Sequence, residues 1–62
     1  MRKYNVVFDI FNGEGQKSSK TVTVEAGNKK LAVIRALGEL TIMNHGEYEG
    51  LYKQIAKVEE VA

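Results

Sequence analysis

The stretch KTVTVEAGNKKLAVIRAL, residues 20–37, decides the fold, because its hydrophobic pattern changes period in the middle. Residues Lys20–Ala26 alternate, with Val22 and Val24 on one face and polar residues on the other, as in a strand with one buried face. A glycine then interrupts the alternation. From Lys29 onward, apolar residues recur every three or four positions, which is typical of an amphipathic helix. The stretch therefore predicts a strand that is followed directly by a helix.

The predicted helix begins after Asn28, whose side chain suits the N-cap position. We expect the helix to end near residues 44–46, NHG, because asparagine and glycine accept a left-handed conformation there. Four residues at helical spacing form the apolar stripe that we expect to be buried: Val33, Ala36, Leu37 and Leu40. This stripe should pack on the apolar face of a β-hairpin.

A second alternating run, Lys3–Phe11, precedes this stretch and predicts the other strand of the hairpin. Its inward-facing residues are Tyr4, Val6, Phe8 and Ile10. The polar residues 12–19 begin with Asn-Gly, which is a strong turn signal. Eight residues exceed the tightest hairpin loop, so we expect a mobile connection between the two strands.

The final segment, residues 51–62, fits two structures. Leu51, Ile55 and Val58 match helical spacing, whereas residues 53–61 also alternate, imperfectly, as a strand. We prefer the strand, since a third strand shelters one edge of a hairpin that is marginally stable in water by itself. The predicted fold class is therefore α+β, in the order ββαβ, with one helix packed on one face of a three-stranded, mainly antiparallel sheet.

Length and composition indicate one small folded domain. The chain has 62 residues, so we expect residues 1–62 to form a single domain. Hydrophobic residues make up 44% and charged residues 27%, as in ordinary globular proteins. The absence of cysteine excludes disulfides and thiolate metal sites. No apolar run approaches the roughly 20 residues of a membrane span, and the N-terminus lacks the apolar core of a signal peptide. We expect a cytoplasmic protein with no membrane partner.

The sequence contains no constellation of residues that suggests catalysis. His45 is the single histidine, and its nearest carboxylates, Glu47 and Glu49, lie in the same polar turn. General acid–base catalysis needs an orienting partner and a pocket that tunes the pKa. The loop GEGQKSS, residues 13–19, departs from a phosphate-binding loop, because Gln16 separates glycine from lysine and a strand follows. We expect no enzyme activity, no catalytic or metal-binding residue, no cofactor and no small-molecule substrate.

Nucleic-acid binding is the alternative function. The formal net charge of +1 gives no general reason to expect it. Four lysines near the hairpin loop and the helix start are nevertheless candidates for phosphate contacts: Lys17, Lys20, Lys29 and Lys30. The alternative is therefore an accessory protein that binds nucleic acid weakly through these lysines.

Four apolar residues fall outside the predicted core. Val7 and Phe11 point to the sheet face opposite the helix, and Leu31 and Ile42 lie on the helix side away from the stripe. Burying one Phe and one Val adds roughly 3–6 kcal/mol, a large amount for a domain of this size. We therefore predict a protein interface at these residues. The leading hypothesis is a non-enzymatic interaction protein that forms a homodimer or binds another protein.

The segment KTVTVEAGNKKLAVIRAL, together with KVEEV at residues 57–61, resembles small uncharacterised proteins of phages and prophages. The likeness lies in the pattern of elements and covers most of the chain. It implies the ββαβ fold, supports a strand in the final segment and assigns no activity. The leading hypothesis therefore includes a phage or prophage accessory factor that dimerises or binds a host protein, in the host cytoplasm if it is phage-encoded. The resemblance assigns a role to no individual residue.

Overall fold

Three strands and one long helix make up the fold, as described by a computed structural model of residues 1–61, with residue 44 described by its backbone alone. The strands are β1 (Arg2–Phe11), β2 (Lys17–Ala26) and β3 (Tyr52–Val61), and the helix is α1 (Lys29–Ile42). The sheet order is β2-β1-β3, and both outer strands run antiparallel to β1. The predicted α+β class and ββαβ order are confirmed, and the final segment is a strand.

The central strand β1 supplies the largest share of the core. Its four inward-facing residues, Tyr4, Val6, Phe8 and Ile10, are all buried, as the alternation predicts. Val22 and Ala26 of β2 complete the sheet side of the core. Because β1 pairs on both edges, its aromatic and β-branched side chains are enclosed by neighbouring strands as well as by the helix.

The hairpin loop is shorter than the sequence indicates. β2 begins at Lys17, so residues 12–16 alone join the strands. The Asn12 N–H donates to the Gln16 carbonyl oxygen, and the Asn12 side-chain oxygen accepts from the backbone N–H groups of Glu14 and Gln16 at 2.9 and 3.0 Å. The expectation of an eight-residue connection is wrong in its length, because backbone and side-chain hydrogen bonds of Asn12 close the turn within residues 12–16.

The helix begins as predicted. The Asn28 side-chain oxygen accepts from the Leu31 N–H at 2.9 Å, and the Asn28 carbonyl accepts from the Ala32 N–H at 3.0 Å. Asn28 is therefore the N-cap of α1.

The buried side of α1 differs from the predicted stripe. The buried residues are Ala32, Ala36 and Leu40, whereas Leu37 is exposed and Val33 is half-buried. Residues 32, 36 and 40 form one row along a helix, and the two alanines let the helix backbone lie close to the sheet. Ala36 and Leu40 of the predicted stripe are confirmed as buried, whereas the prediction included the larger Val33 and Leu37 in place of Ala32 and so rotated the buried side away from its true orientation.

An extra residue in β3 explains its imperfect alternation. Phe8 pairs with Ile55 and Val6 pairs with Val58, with an irregularity between Val7 and Phe8 that leaves Ala56 unpaired. A β-bulge of this kind inserts one residue and shifts the alternation by one position. Both Ile55 and Val58 therefore lie on the helix side of the sheet.

The helix ends in a 3₁₀ turn, Met43–Gly46, in which His45 and Gly46 have positive φ angles of 61° and 79°. The left-handed termination predicted for this region is confirmed. No helix in residues 1–61 has the length and apolar character needed to cross a membrane.

Candidate protein-interaction surfaces

The solvent side of α1 carries a stripe of exposed apolar residues. Leu31, Ile34 and Ile42 are 46%, 60% and 73% exposed. At 100° per residue, these three and Gly38 fall within one narrow arc opposite the Ala32–Ala36–Leu40 row. We call Leu31, Ile34, Gly38 and Ile42 the outer helix face. The helix is apolar on two sides, and the sheet covers one of them.

A groove of about 580 Å³ lies where the outer helix face meets the free edge of β2. Its strand side is Thr23–Glu25, and its helix side includes Ile34, Gly38 and Ile42. Gly38 has no heavy atom within 4 Å of the position that a Cβ would occupy, so the groove is open there. We call this feature the β2 groove. It places an apolar helix surface beside a strand edge that has no partner.

Charges of both signs line the β2 groove: Lys3 and Glu25 on its strand side, and Arg35 and Glu39 on its helix side. Arg35 and Glu39 both belong to its lining and lie one turn apart on α1. A partner surface that meets this groove therefore encounters both signs of charge next to the isoleucines.

The other face of the sheet is mixed in character. The Phe11 and Tyr52 rings pack with centroids 5.6 Å apart and planes tilted by 48°. Val7 is half-buried between its cross-strand neighbours Thr21 and Lys57. Polar contacts occupy the rest, including the Thr23 hydroxyl that donates to the Asn5 side-chain oxygen at 2.6 Å. This face is thus partly covered by its own cross-strand pairs, although no second layer lies over it.

The four predicted interface residues lie on two separate surfaces. Val7 and Phe11 occupy the open sheet face, while Leu31 and Ile42 occupy the outer helix face, with the sheet and core between them. Ile34 was not among the predicted interface residues, although it is 60% exposed. The signal was present, because Ile34 lies opposite Ala36 on a helical wheel, but it can be interpreted only once the buried row is known.

The four candidate lysines are not brought together. Lys17 lies opposite Phe11 on the open sheet face, whereas Lys20 lies opposite Phe8 and therefore on the helix side. Lys29 and Lys30 stand in the first turn of α1, beyond the far end of β2. A ten-residue strand separates Lys17 from them by roughly 30 Å. The four lysines therefore do not form one continuous basic surface that could follow a phosphate backbone. This arrangement gives the nucleic-acid alternative little support.

A second cleft, of about 630 Å³, lies between the hairpin turn and the chain that follows the helix. Ile10, Tyr48 and Leu51 line its apolar part. On the polar side, the Asn12 amide donates to the Gln16 side-chain oxygen at 2.9 Å, so these two groups bind each other. The cleft therefore lies at one end of the hydrophobic core. The polar side chains of its turn residues bond to each other and stabilise the hairpin turn.

Charged groups in residues 1–61 form no obvious site for chemistry. Among the side chains that the structure describes (residues 1–43 and 45–61), no group of three or more His, Cys, Asp and Glu residues is placed to hold a metal ion, and no buried nitrogen or oxygen lacks a hydrogen-bond partner. The Tyr4 side chain, and secondarily the Glu60 carboxylate, raise the pKa of Arg2 above its ordinary value. The Arg2 Nη1 and Glu60 Oε1 atoms are 3.8 Å apart. Because arginine is already charged at neutral pH, this shift tunes no reaction.

Comparison with known proteins found no matching protein-family model, no similar curated protein and no similar solved structure. The resemblance to phage and prophage proteins therefore stays a prediction. Any function must be argued from the surfaces described above.

Proposed function

We propose that this chain is a non-enzymatic protein-interaction domain that works as a homodimer, with the outer helix face and the β2 groove as its contact surface. The observation that carries the proposal is the exposure of Ile34 and Ile42, at 60% and 73%, on one side of the groove. Scattered exposed apolar residues are normal on any protein. Isoleucines aligned along one helix face beside an open strand edge form a contiguous patch, which is typical of an interaction site.

The free energy gained by burying the two isoleucines supports a contact of moderate strength. Full burial of an isoleucine side chain contributes about 1.5–3 kcal/mol. Two copies of Ile34 and Ile42, weighted by their exposed fractions, contribute roughly 4–8 kcal/mol. Association itself costs about 4–15 kcal/mol in lost translational and rotational freedom. The apolar contact is therefore comparable to the lower part of this cost, and further interactions must add to it.

The charges beside the groove favour a second copy as the partner. Arg35 and Glu39 give one surface both signs of charge. A two-fold axis that sets the helices antiparallel brings Arg35 of one copy toward Glu39 of the other, and the reverse, so the surface complements itself. The small formal net charge of +1 adds little repulsion between copies.

Sedimentation equilibrium tests this proposal. We expect a mass that rises with concentration toward twice the 6.9 kDa of one chain. Ile42→Lys should shift the protein to the monomer, since lysine suits the C-terminal turn of a helix and leaves the fold intact. Val61→Lys is the matched control, because Val61 is also exposed but lies on the far edge strand. A wild-type chain that stays monomeric at millimolar concentration contradicts the proposal.

A further inference from the structure

The two edges of the sheet are protected to different degrees. β3 contains the bulge at Ala56, and charged side chains such as Lys57, Glu59 and Glu60 accumulate along it. Bulges and charges are the means by which edge strands avoid pairing with other chains. β2 pairs with β1 over ten consecutive residues without a register shift, so its free edge is regular. The less protected edge is therefore that of β2, which has no bulge and also borders the β2 groove.

The hairpin turn fixes which residues of β2 face outward. The Asn12 N–H donates to the Gln16 carbonyl, which marks this position as a hydrogen-bonded pair. Hydrogen-bonded and non-hydrogen-bonded pairs alternate along an antiparallel ladder, so the even-numbered residues of β2 bond to β1. The odd-numbered residues direct their N–H and C=O groups to the free edge: Lys17, Ser19, Thr21, Thr23 and Glu25.

These five residues are arranged symmetrically about Thr21. Lys17 and Glu25 lie four residues on either side of it, and Ser19 and Thr23 lie two residues on either side. If two copies of β2 run antiparallel with Thr21 facing its own counterpart, every outward residue meets an outward residue of the other copy. Lys17 then lies opposite Glu25 twice, once on each side of the axis, and opposite charges directly across a strand pair attract.

We propose that two copies of this chain join edge to edge through β2, antiparallel and in the register centred on Thr21, to form one continuous six-stranded sheet. This inference rests on the proposed homodimer and specifies how it is built. The pairing adds about ten backbone hydrogen bonds, two for each of five outward pairs. A two-fold axis perpendicular to the sheet keeps both helices on the same face, so the two β2 grooves with Ile34 and Ile42 flank the seam.

Registers centred on residues next to Thr21 pair fewer of the outward residues of β2 and lose the match between Lys17 and Glu25. A shift that faces Val22 with its own counterpart sets Ser19 against Glu25 and leaves Lys17 opposite Gly27 at the end of the strand. Centring the pair on Thr23 sets Ser19 against Gly27 and Lys17 against Lys29, both of which lie beyond the end of β2. The Thr21 register is the one that matches both the hydrogen-bonding groups and the charges.

Single-cysteine variants test this register, because the chain has no cysteine of its own. In a hydrogen-bonded antiparallel pair the Cα atoms are about 5.5 Å apart, which lies within the range that a disulfide spans. We expect Thr21→Cys to form a covalent dimer under mild oxidation. Thr23→Cys should not link to itself, since its counterpart is displaced by four residues along the strand, or roughly 14 Å. A mixture of Ser19→Cys and Thr23→Cys chains should link to each other.

The outcomes separate this inference from the proposed function. Efficient self-linking of Thr23→Cys, with none for Thr21→Cys, overturns the register. A wild-type dimer by sedimentation in which no β2 cysteine variant links overturns the edge pairing, while the homodimer proposal stands. A wild-type chain that is monomeric by sedimentation contradicts both the homodimer and the edge pairing through β2. Far-UV circular dichroism of each variant confirms that the fold is retained, so that a failure to link reports on the interface.

Discussion

Lys17 and Glu25 lie on the same face of β2, and both direct their backbone groups to the strand's free edge. They are equally distant from Thr21, so an antiparallel pair of β2 strands sets each against the other. Within one chain they lie eight strand positions apart, or roughly 27 Å. Their attraction therefore contributes only between chains.

Charge reversal tests this relationship without disturbing the core. We expect Lys17→Glu and Glu25→Lys to weaken self-association by roughly tenfold each, because each sets like charges opposite at two places across the seam. Mixed together, the two variants should associate as a heterodimer at least as tightly as the wild-type chain. In the mixture, both cross-seam pairs regain opposite charges. Sedimentation of each variant alone and of an equimolar mixture measures this, and a mixture no tighter than its components contradicts the register.

Proline substitution distinguishes the free edge of β2 from its paired edge. Thr21→Pro removes an outward N–H, and proline is tolerated on an edge strand where its missing donor faces solvent. We expect this variant to stay folded and to lose the dimer. Val22→Pro removes an N–H that bonds to β1 and should unfold the domain. Circular dichroism and sedimentation of both variants provide the comparison, and an unfolded Thr21→Pro chain would show that the outward residues have been misassigned.

The sheet was predictable from the sequence to a greater extent than the helix orientation. Clean alternation in β1 and β2 leaves one way to bury the apolar face, because a one-residue slip exposes it. The helix offers apolar residues on several sides, and Ala32 and Ala36 do not stand out by size. Which side is buried depends on how closely the helix approaches the sheet, and that distance is a property of the packed structure.

The candidate interface was only partly predictable for the same reason. Leu31 and Ile42 were placed outside the core correctly, since both are exposed. Ile34 was missed because the assumed buried side was rotated toward it. The pairing potential of the β2 edge depends on the hydrogen-bond phase set by Asn12 and Gln16, which composition and periodicity do not reveal.

The orientation of α1 predicts a contrast between two leucines. Leu40 is fully buried, and Leu40→Ala should lower the free energy of unfolding by about 2–5 kcal/mol. Leu37 is 44% exposed, so Leu37→Ala should cost about 1 kcal/mol or less. Urea denaturation at a fixed protein concentration measures both. Equal losses for the two variants would contradict this orientation of α1 and favour the predicted stripe, in which Leu37 is buried.

The N-cap of α1 gives a prediction about a single side chain. Asn28→Ala removes the acceptor for the Leu31 N–H and should lower the free energy of unfolding by about 0.5–2 kcal/mol. Asn28→Ser retains a capping oxygen and should cost less. The comparison is made by urea denaturation, and an alanine variant as stable as the serine variant would mean that solvent caps the helix equally well.

The bulge in β3 is expected to keep Ile55 and Val58 on the same side of the sheet. Ile55 and Val58 are three positions apart, and a regular strand would point them to opposite faces. Deleting Ala56 removes the extra residue, so one of the two must leave the helix side of the sheet. We expect a loss of about 1–2 kcal/mol in the free energy of unfolding, since Ile55 is 41% exposed and only part of its side chain is buried. Ala56→Gly keeps the residue count and should cost about 1 kcal/mol or less, through backbone entropy alone. Equal stability of the deletion variant and the wild-type chain, measured in urea, would mean that β3 tolerates either alternation and that the bulge does not determine its register.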